Sequence, residues 1–218
     1  MTDTPQKSSS TAAPIGFYGT PQQNPMLVVI SGPSGVGKDA LVQRLKELGY
    51  PFHFVVTATT RKPRKGEQNG KDYYFLSDEE FLDLERRGEL LEHALVYGEH
   101  KGVPREHARR ALASGQDVIM RVDVQGAATI KALLPDAILV FLVAGSEQEW
   151  LNRLQRRKTE DPAALERRLA TMREEMRRIP EFDYVVVNRE GELDHAAEDV
   201  VAIIRAERCR TRPRVVRL

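Results

Sequence analysis

The chain begins polar and turns apolar abruptly. Met1 to Pro25 is rich in Ser, Thr, Pro, Gln and Gly. It carries too little apolar surface to offset the entropy of ordering it, so a disordered tail is expected there. Met26-Leu27-Val28-Val29-Ile30-Ser31 follows as a continuous apolar run, which suits a strand buried on both faces of a parallel sheet. Comparable runs stand at Phe54 to Thr57, Val118 to Asp123, Ile138 to Val143 and Tyr184 to Val187. Between them the period changes to that of a helix. Leu41, Val42, Leu45 and Leu48 share one face and Gly49 supplies a stop. Further helical patterns run over roughly Glu106 to Ala113, Gln125 to Leu134, Glu147 to Gln155 and Glu192 to Cys209. Strands alternating with helices predict βαβ units, and hence an α/β fold with a parallel sheet covered on both faces.

Two segments interrupt this rhythm. Arg61 to His100 is polar and turn-rich, with short aromatic stretches around Tyr73-Tyr74-Phe75. It is expected to be an inserted lobe of short strands plus a helix over Asp78 to Arg87, capped by Ser77 or Asp78. Pro162 to Arg178 predicts another helix, with Leu165, Leu169, Met172 and Met176 as its apolar stripe. The domain is expected to span 26–210, its core being 26–60 and 101–210, with a C-terminal tail at 211–218. No internal repeat is visible.

Composition narrows the function classes. A formal net charge of +1 over 218 residues argues against a general nucleic-acid coat or a membrane-surface binder, so any anion binding must be local. The single cysteine, Cys209, permits no internal disulfide and fits a reducing, cytoplasmic location. No apolar run is long enough to span a bilayer, and the N-terminus carries no export or transit pattern. The five histidines show no metal-ligand spacing.

Gly32-Pro33-Ser34-Gly35-Val36-Gly37-Lys38 lies directly after the first strand run and directly before the first helix. In that context GxxxxGK cradles nucleotide phosphates. Glycines let successive N–H groups point at one anion, the helix N-terminus adds partial positive charge, and Lys38 reaches the β and γ phosphates of ATP. The bland alternative is a tight turn whose glycines serve only geometry; the lysine and both flanking elements speak against it. The motif normally continues with Ser or Thr, whose hydroxyl is a Mg²⁺ ligand. Here it continues with Asp39. A carboxylate is a good hard-cation ligand, yet it is unfavourable beside phosphates without the metal. Asp39 therefore either binds Mg²⁺ or pairs with a cation elsewhere.

Thr57 to Glu67 reads TATTRKPRKGE and continues to NGKDYYF at Asn69 to Phe75. Two arginines three apart around a proline can converge on one phosphate, each as a fixed fork of donors. Taken alone, a solvated basic loop would be favoured. Together with the phosphate loop, however, the pattern TTRxPRxGExxGxxYxF resembles guanylate kinases, and the resemblance extends over residues 26–208. It includes the plant organellar type, which shares the wording GPSGVGKD.

The resemblance implies a P-loop nucleoside monophosphate kinase fold and the reaction ATP + GMP to ADP + GDP, with Mg²⁺ and with dGMP also accepted. Arg61, Arg64 and Tyr73 match contacts to the GMP phosphate. Thr57 matches a hydroxyl that reads guanine, and Glu67 an acid of the loop motif. Glu92 matches the acid that reads the base. A carboxylate accepts from guanine N1–H and N2–H₂, a donor pair that adenine lacks. Without the resemblance, Glu92 would be read as a surface helix acid. Where the family has Tyr-Gly-Ser or Tyr-Gly-Thr, this chain has Lys101-Gly102-Val103. Lys101 can still grip a phosphate, but Val103 cannot donate to a base.

Asp123, at the end of the run from Val118, matches a strand-end acid that holds Mg²⁺. The family's companion acid is replaced by Arg121. Alternation along a strand puts Arg121 and Asp123 on one face, where they could simply pair. The preferred expectation links two exchanges: Asp39 takes a metal role, and Arg121 balances it or touches a phosphate. Arg157 and Arg168 match the arginines of a lid near 156–168, which would stabilise charge on the moving phosphoryl group. Asn188 aligns with an adenine contact, though a turn residue is nearly as good a reading. Three rivals stand beside the kinase reading: a kinase for another phosphorylated acceptor, a non-catalytic binding module, and a nucleotide sensor.

Overall fold

The apolar run at the start of the domain forms β1 (Leu27–Ser31), buried at every position. In chain order there follow α1 (Lys38–Glu47), β2 (Phe52–Phe54), β3 (Thr57–Thr59), β4 (Tyr73–Phe75), α2 (Asp78–Arg86), β5 (Leu90–Val96), β6 (Glu99–Pro104), α3 (Arg105–Ala113), β7 (Asp117–Arg121), α4 (Val124–Leu133), β8 (Ile138–Ala144), α5 (Glu147–Gln155), α6 (Pro162–Met176), β9 (Tyr184–Asn188) and α7 (Leu193–Arg208). This computed structural model describes residues 24–96, 98–155 and 162–218, with side chains 162–165 left out. The expected tail up to residue 23, Arg157 with its neighbours 156–161, and the side chain of Leu165 lie outside the described residues.

Five strands make a parallel core sheet in the order β2-β7-β1-β8-β9. Alternation in β1 feeds two apolar layers. Val28 and Ile30 pack with Leu41 and Leu45 of α1, Trp150 of α5 and Val200 and Ile204 of α7. Leu27 and Val29 pack on the other side with Ala108 and Ala111 of α3 and Ala127 and Ile130 of α4. Register pairs Ile30 with both Arg121 and Val140, so the carboxyl ends of three strands open on the same edge. Ligands of open α/β sheets bind at that edge.

The inserted lobe is a four-stranded sheet, β4-β3-β6-β5. It is wider than the expected 61–100. Phe54 to Thr57 is not one strand: the chain leaves the core sheet after Phe54, Val55 N–H keeps a last bond to Ile119 C=O at 2.9 Å, and Thr57 opens the lobe sheet. An apolar run cannot mark this change, because Val55, Thr57 and Ala58 are buried on both sides of it. The lobe closes at Pro104, where β6 runs straight into α3. Within the lobe, α2 begins at a capping box: the Ser77 hydroxyl accepts from Glu80 N–H, and the Glu80 carboxylate accepts from Ser77 N–H.

The expected strand to Asp123 stops at Arg121, and Asp123 caps α4 instead, accepting from Gly126 N–H at 2.8 Å. Residues 211–218 are irregular yet docked. Arg214 bonds Glu207, Val215 N–H bonds Asp136, and Val216 packs on the second apolar layer. Among the described residues no helix is long and apolar enough to cross a membrane.

Candidate active site

The turn between β1 and α1 is fixed through its carbonyls. Lys38 Nζ donates to Gly32 C=O and, at 2.9 Å, to Pro33 C=O. Trp150 Nε1–H donates to Ser34 C=O at 2.7 Å. Val36 C=O accepts from Asn188 Nδ2 at 2.8 Å and from Arg153 at 3.0 Å. With these oxygens engaged, the loop's amides are what remains to meet an anion. Gly37 has φ 102°, and a Cβ there would strike Asn188 Nδ2; a side chain would be both strained and obstructed.

Gly32, Ser34, Gly35, Gly37 and Lys38 form one wall of a cleft of about 480 Å³. The lobe supplies the facing wall with Thr57, Arg61, Arg64, Tyr73, Glu92 and Lys101. Arg61 forms a fork with Glu67, at 2.7 and 2.6 Å, and lies 4.7 Å above the Tyr73 ring. Glu67 also accepts from Arg64 N–H at 2.7 Å. Glu67 therefore shapes the basic loop, fixing the Arg61 guanidinium on the cleft wall.

Glu92 is on β5, buried to 3% exposure, and is no surface helix acid. One of its carboxylate oxygens has no partner. Burial, and then the nearby charge of Asp123, push its pKa from 4.5 up to about 8. A Cβ on Gly126 would collide with Glu92, so the glycine at the start of α4 makes room for the acid. Val103, paired in register with Glu92, is wholly buried, as its apolar side chain requires. Thr57 is buried and lines the same cleft.

Asp39 is paired both with the end of the core strand β7 and with the lobe. Its Oδ1 meets Arg121 at 2.7 Å and the Tyr73 hydroxyl at 3.2 Å, and its Oδ2 meets Arg64 at 3.6 Å. Burial works to raise its pKa, but Arg121, Lys38 and Arg64 outweigh burial and hold the carboxyl below its usual range. Arg121 thus pairs with Asp39 and not with Asp123. Asp123 keeps one buried oxygen unpartnered after capping α4. Among the described residues no group of three His, Cys, Asp or Glu forms a ready metal cage. That suits Mg²⁺, which is held by one or two carboxylates plus waters and substrate phosphates. Asp123 fits such a role; Asp39, its oxygens given to cations and a hydroxyl, does not.

Lys38 is pushed from 10.5 down to about 8 by burial, which Glu175 and Asp39 partly oppose. Glu175, on α6, is 5% exposed and has an unpartnered oxygen in the same cleft. Burial raises its pKa, Lys38 opposing. Arg168, also on α6, lines the cleft as well.

The sequence model of the family described as guanylate kinase matches residues 24–207. The chain belongs to the guanylate kinase family. A chain named guanylate kinase 2, chloroplastic/mitochondrial, from Oryza sativa subsp. japonica is 54% identical over 199 residues, covering 91% of this chain and 70% of that protein. A guanylate kinase of Latilactobacillus sakei subsp. sakei is 40% identical, covering 88% and 93%. The crystal structure of guanylate kinase from Anaplasma phagocytophilum superposes with a TM-score of 0.71 at 31% identity, covering 87% of this chain and 89% of that one.

The family's expected positions converge on one cleft: Lys38, Asp39, Thr57, Arg61, Arg64, Glu67, Tyr73, Glu92, Lys101, Asp123 and Arg168 all line it. Two do not. Arg157 is outside the described residues. Asn188 is neither a turn residue nor on the cleft wall: it ends β9, buried, and braces the phosphate loop from behind. Three residues of this guanylate kinase-family site escaped sequence reasoning. Trp150 and Arg153 of α5 carry the loop's carbonyls, and nothing in a polar helix pattern marks that. Glu175 did leave a signal. It follows Met172 by three residues and precedes Met176 by one, which places it on the apolar, inward stripe of α6.

Proposed function

We propose that the chain transfers the γ-phosphate of ATP to GMP, and to dGMP, in the cytoplasm, with Mg²⁺ bound. The observation that carries this is the pairing of two walls in one cleft. One is the Lys38 loop. The other holds Arg61, Arg64 and Tyr73 close to a buried acid, Glu92, that can only accept once ionised.

A GMP phosphate oxygen attacks the γ-phosphorus, the bond to the β–γ bridging oxygen breaks, and ADP leaves. No protein nucleophile is needed. Lys38 and the loop amides hold the donor phosphates. Arg61, Arg64 and the Tyr73 hydroxyl hold the acceptor phosphate, with Glu67 fixing Arg61. Glu92 accepts from guanine N1–H and N2–H₂, with Thr57 lining the same cleft. Lys101 adds positive charge to the cleft wall. Arg168, with Arg157 as its lid partner, stabilises charge on the moving phosphoryl group. Catalysis is then positioning plus charge neutralisation. Mg²⁺, when bound, would neutralise the β and γ phosphates, and Asp123, with its unpartnered oxygen, would hold it or its water shell.

The test is turnover with GMP and dGMP against AMP, UMP and dTMP, with and without Mg²⁺. GMP and dGMP turned over, and only with the metal, is the expected outcome. ATP binding without any turnover would return the chain to the binding-module or sensor reading. Turnover with a different acceptor would favour the reading that Lys101 and Val103 suggest.

A further inference from the structure

The residue after Lys38 and the residue two before Asp123 meet across the cleft. Arg121 is wedged, its side chain 13% exposed. It bonds Asp39 at 2.7 Å and Asp72 C=O at 3.3 Å, and its guanidinium lies 4.3 Å from the Tyr73 ring centre. Arg61 lies over the same ring at 4.7 Å. Two guanidinium groups over one ring attract the ring and repel each other. Each has its own carboxylate: Glu67 for Arg61, Asp39 for Arg121. The order Glu67, Arg61, Tyr73, Arg121, Asp39 therefore alternates in charge around one aromatic plate. It joins the lobe loop, β4, β7 and the first turn of α1. Without Asp39 the row ends in an uncompensated, mostly buried cation, which would push against Arg61 and loosen Tyr73.

We propose that the Asp39–Arg121 pair is a strut by which the phosphate-loop helix positions the acceptor-phosphate donors Arg61, Arg64 and Tyr73, so that Asp39 is a positioning residue for GMP and not a magnesium ligand. This rests on the reading of those three residues as the GMP-phosphate site. Asp39 also holds Arg64 and the Tyr73 hydroxyl directly, so the strut reaches all three groups. A hydroxyl at position 39 could not replace it, since it would leave Arg121 without a counter-charge.

The experiment measures GMP affinity by calorimetry without ATP or metal, and ATP affinity as a function of Mg²⁺, in wild type, Asp39→Asn, Arg121→Met, the double variant and Arg121→Lys. Wild-type turnover with GMP is the separate control for the acceptor reading. Asp39→Asn and Arg121→Met are expected to weaken GMP binding about tenfold each, the loss of one charge-assisted contact. The double variant is expected to lose no more than either single one, because both break the same link. Arg121→Lys keeps the ion pair without the planar face and should recover part of the loss. The response of ATP affinity to Mg²⁺ should persist in Asp39→Asn. GMP affinity changed by less than about threefold in Asp39→Asn, additive losses in the double variant, or a lost response to Mg²⁺ would each overturn the proposal. If Arg121→Met does not fold, Arg121→Lys with Asp39→Asn decides by the same readings.

Discussion

Glu92 and Lys38 are brought near the same pH by one cause that shifts an acid and a base in opposite directions. Burial disfavours charge on both, which raises the acid to about 8 and lowers the base to about 8. For Glu92 this has a definite sign. The folded chain keeps a proton that the unfolded chain releases above 4.5, so Glu92 contributes stability below 4.5 that is lost as pH rises through about 8. Guanine needs the ionised form, so binding GMP near neutral pH should release a proton. Calorimetry in two buffers of different ionisation enthalpy will show that release in wild type and none in Glu92→Gln. The same variant should melt higher than wild type at pH 9, be indistinguishable near pH 4, and bind GMP about tenfold to a hundredfold more weakly. At this scale the sequence was legible where a motif named the residue. The spacing of Arg61 and Arg64 allows them to converge on a phosphate, but their role, like those of Tyr73 and Glu92, came from the resemblance. The burial of Glu92 did not show, because two strands and the glycine at 126 create its space from distant parts of the chain.

Elements were read more easily than their junctions. Apolar runs and helical stripes marked the core strands and helices, since burial on two faces or on one imposes those periods. The split of Phe54 to Thr57 between two sheets did not show, nor did the exchange of Asp123 from strand end to helix cap, because neither alters the run of buried residues. The phosphate loop was read as a motif, but its support was not. Arg153 spans from Val36 C=O to Asn188 C=O, at 3.0 and 2.7 Å, and so ties α5, the loop and β9 together. Arg153→Ala should weaken ATP binding about tenfold while leaving GMP binding intact, measured by separate titrations. An equal loss for both nucleotides would mean that the cleft as a whole had moved. Gly37→Ala should be harsher. With φ at 102° and Asn188 in the way, it should cost roughly 1–3 kcal/mol of stability and abolish the rise in melting temperature that ATP produces in wild type.

The whole molecule is closed by its last residues. Glu207 is 3% exposed and is shared by Arg214 at 2.9 Å and the Tyr184 hydroxyl at 2.6 Å. Burial alone would raise its pKa, but Arg214 and Tyr184 hold it below 4.5. Its stabilising share is therefore present above 4.5 and is lost as pH falls below that. Arg214→Ala leaves the buried acid with only the more distant Arg210, at 3.5 Å, and should cost roughly 3 kcal/mol at pH 7. That is a fall of about 6–12 °C in melting temperature for a domain of this size, and the gap from wild type should narrow at pH 3. The inserted lobe carries a different consequence. The chain leaves the core after Phe54 and returns at Arg105, and Thr57, Arg61, Arg64, Tyr73, Glu92 and Lys101 all fall within that single stretch. Donor handling lies outside it. Choice of acceptor is thus packaged as one exchangeable cassette, and a lobe from a relative could be spliced between Phe54 and Arg105 with the ATP machinery untouched. Gly126, which makes room for Glu92, already has no side chain to clash; positions 39 and 121 are a stricter exception. They belong to the core but are matched to Tyr73, so a transplanted lobe would work only if those two residues travelled with it.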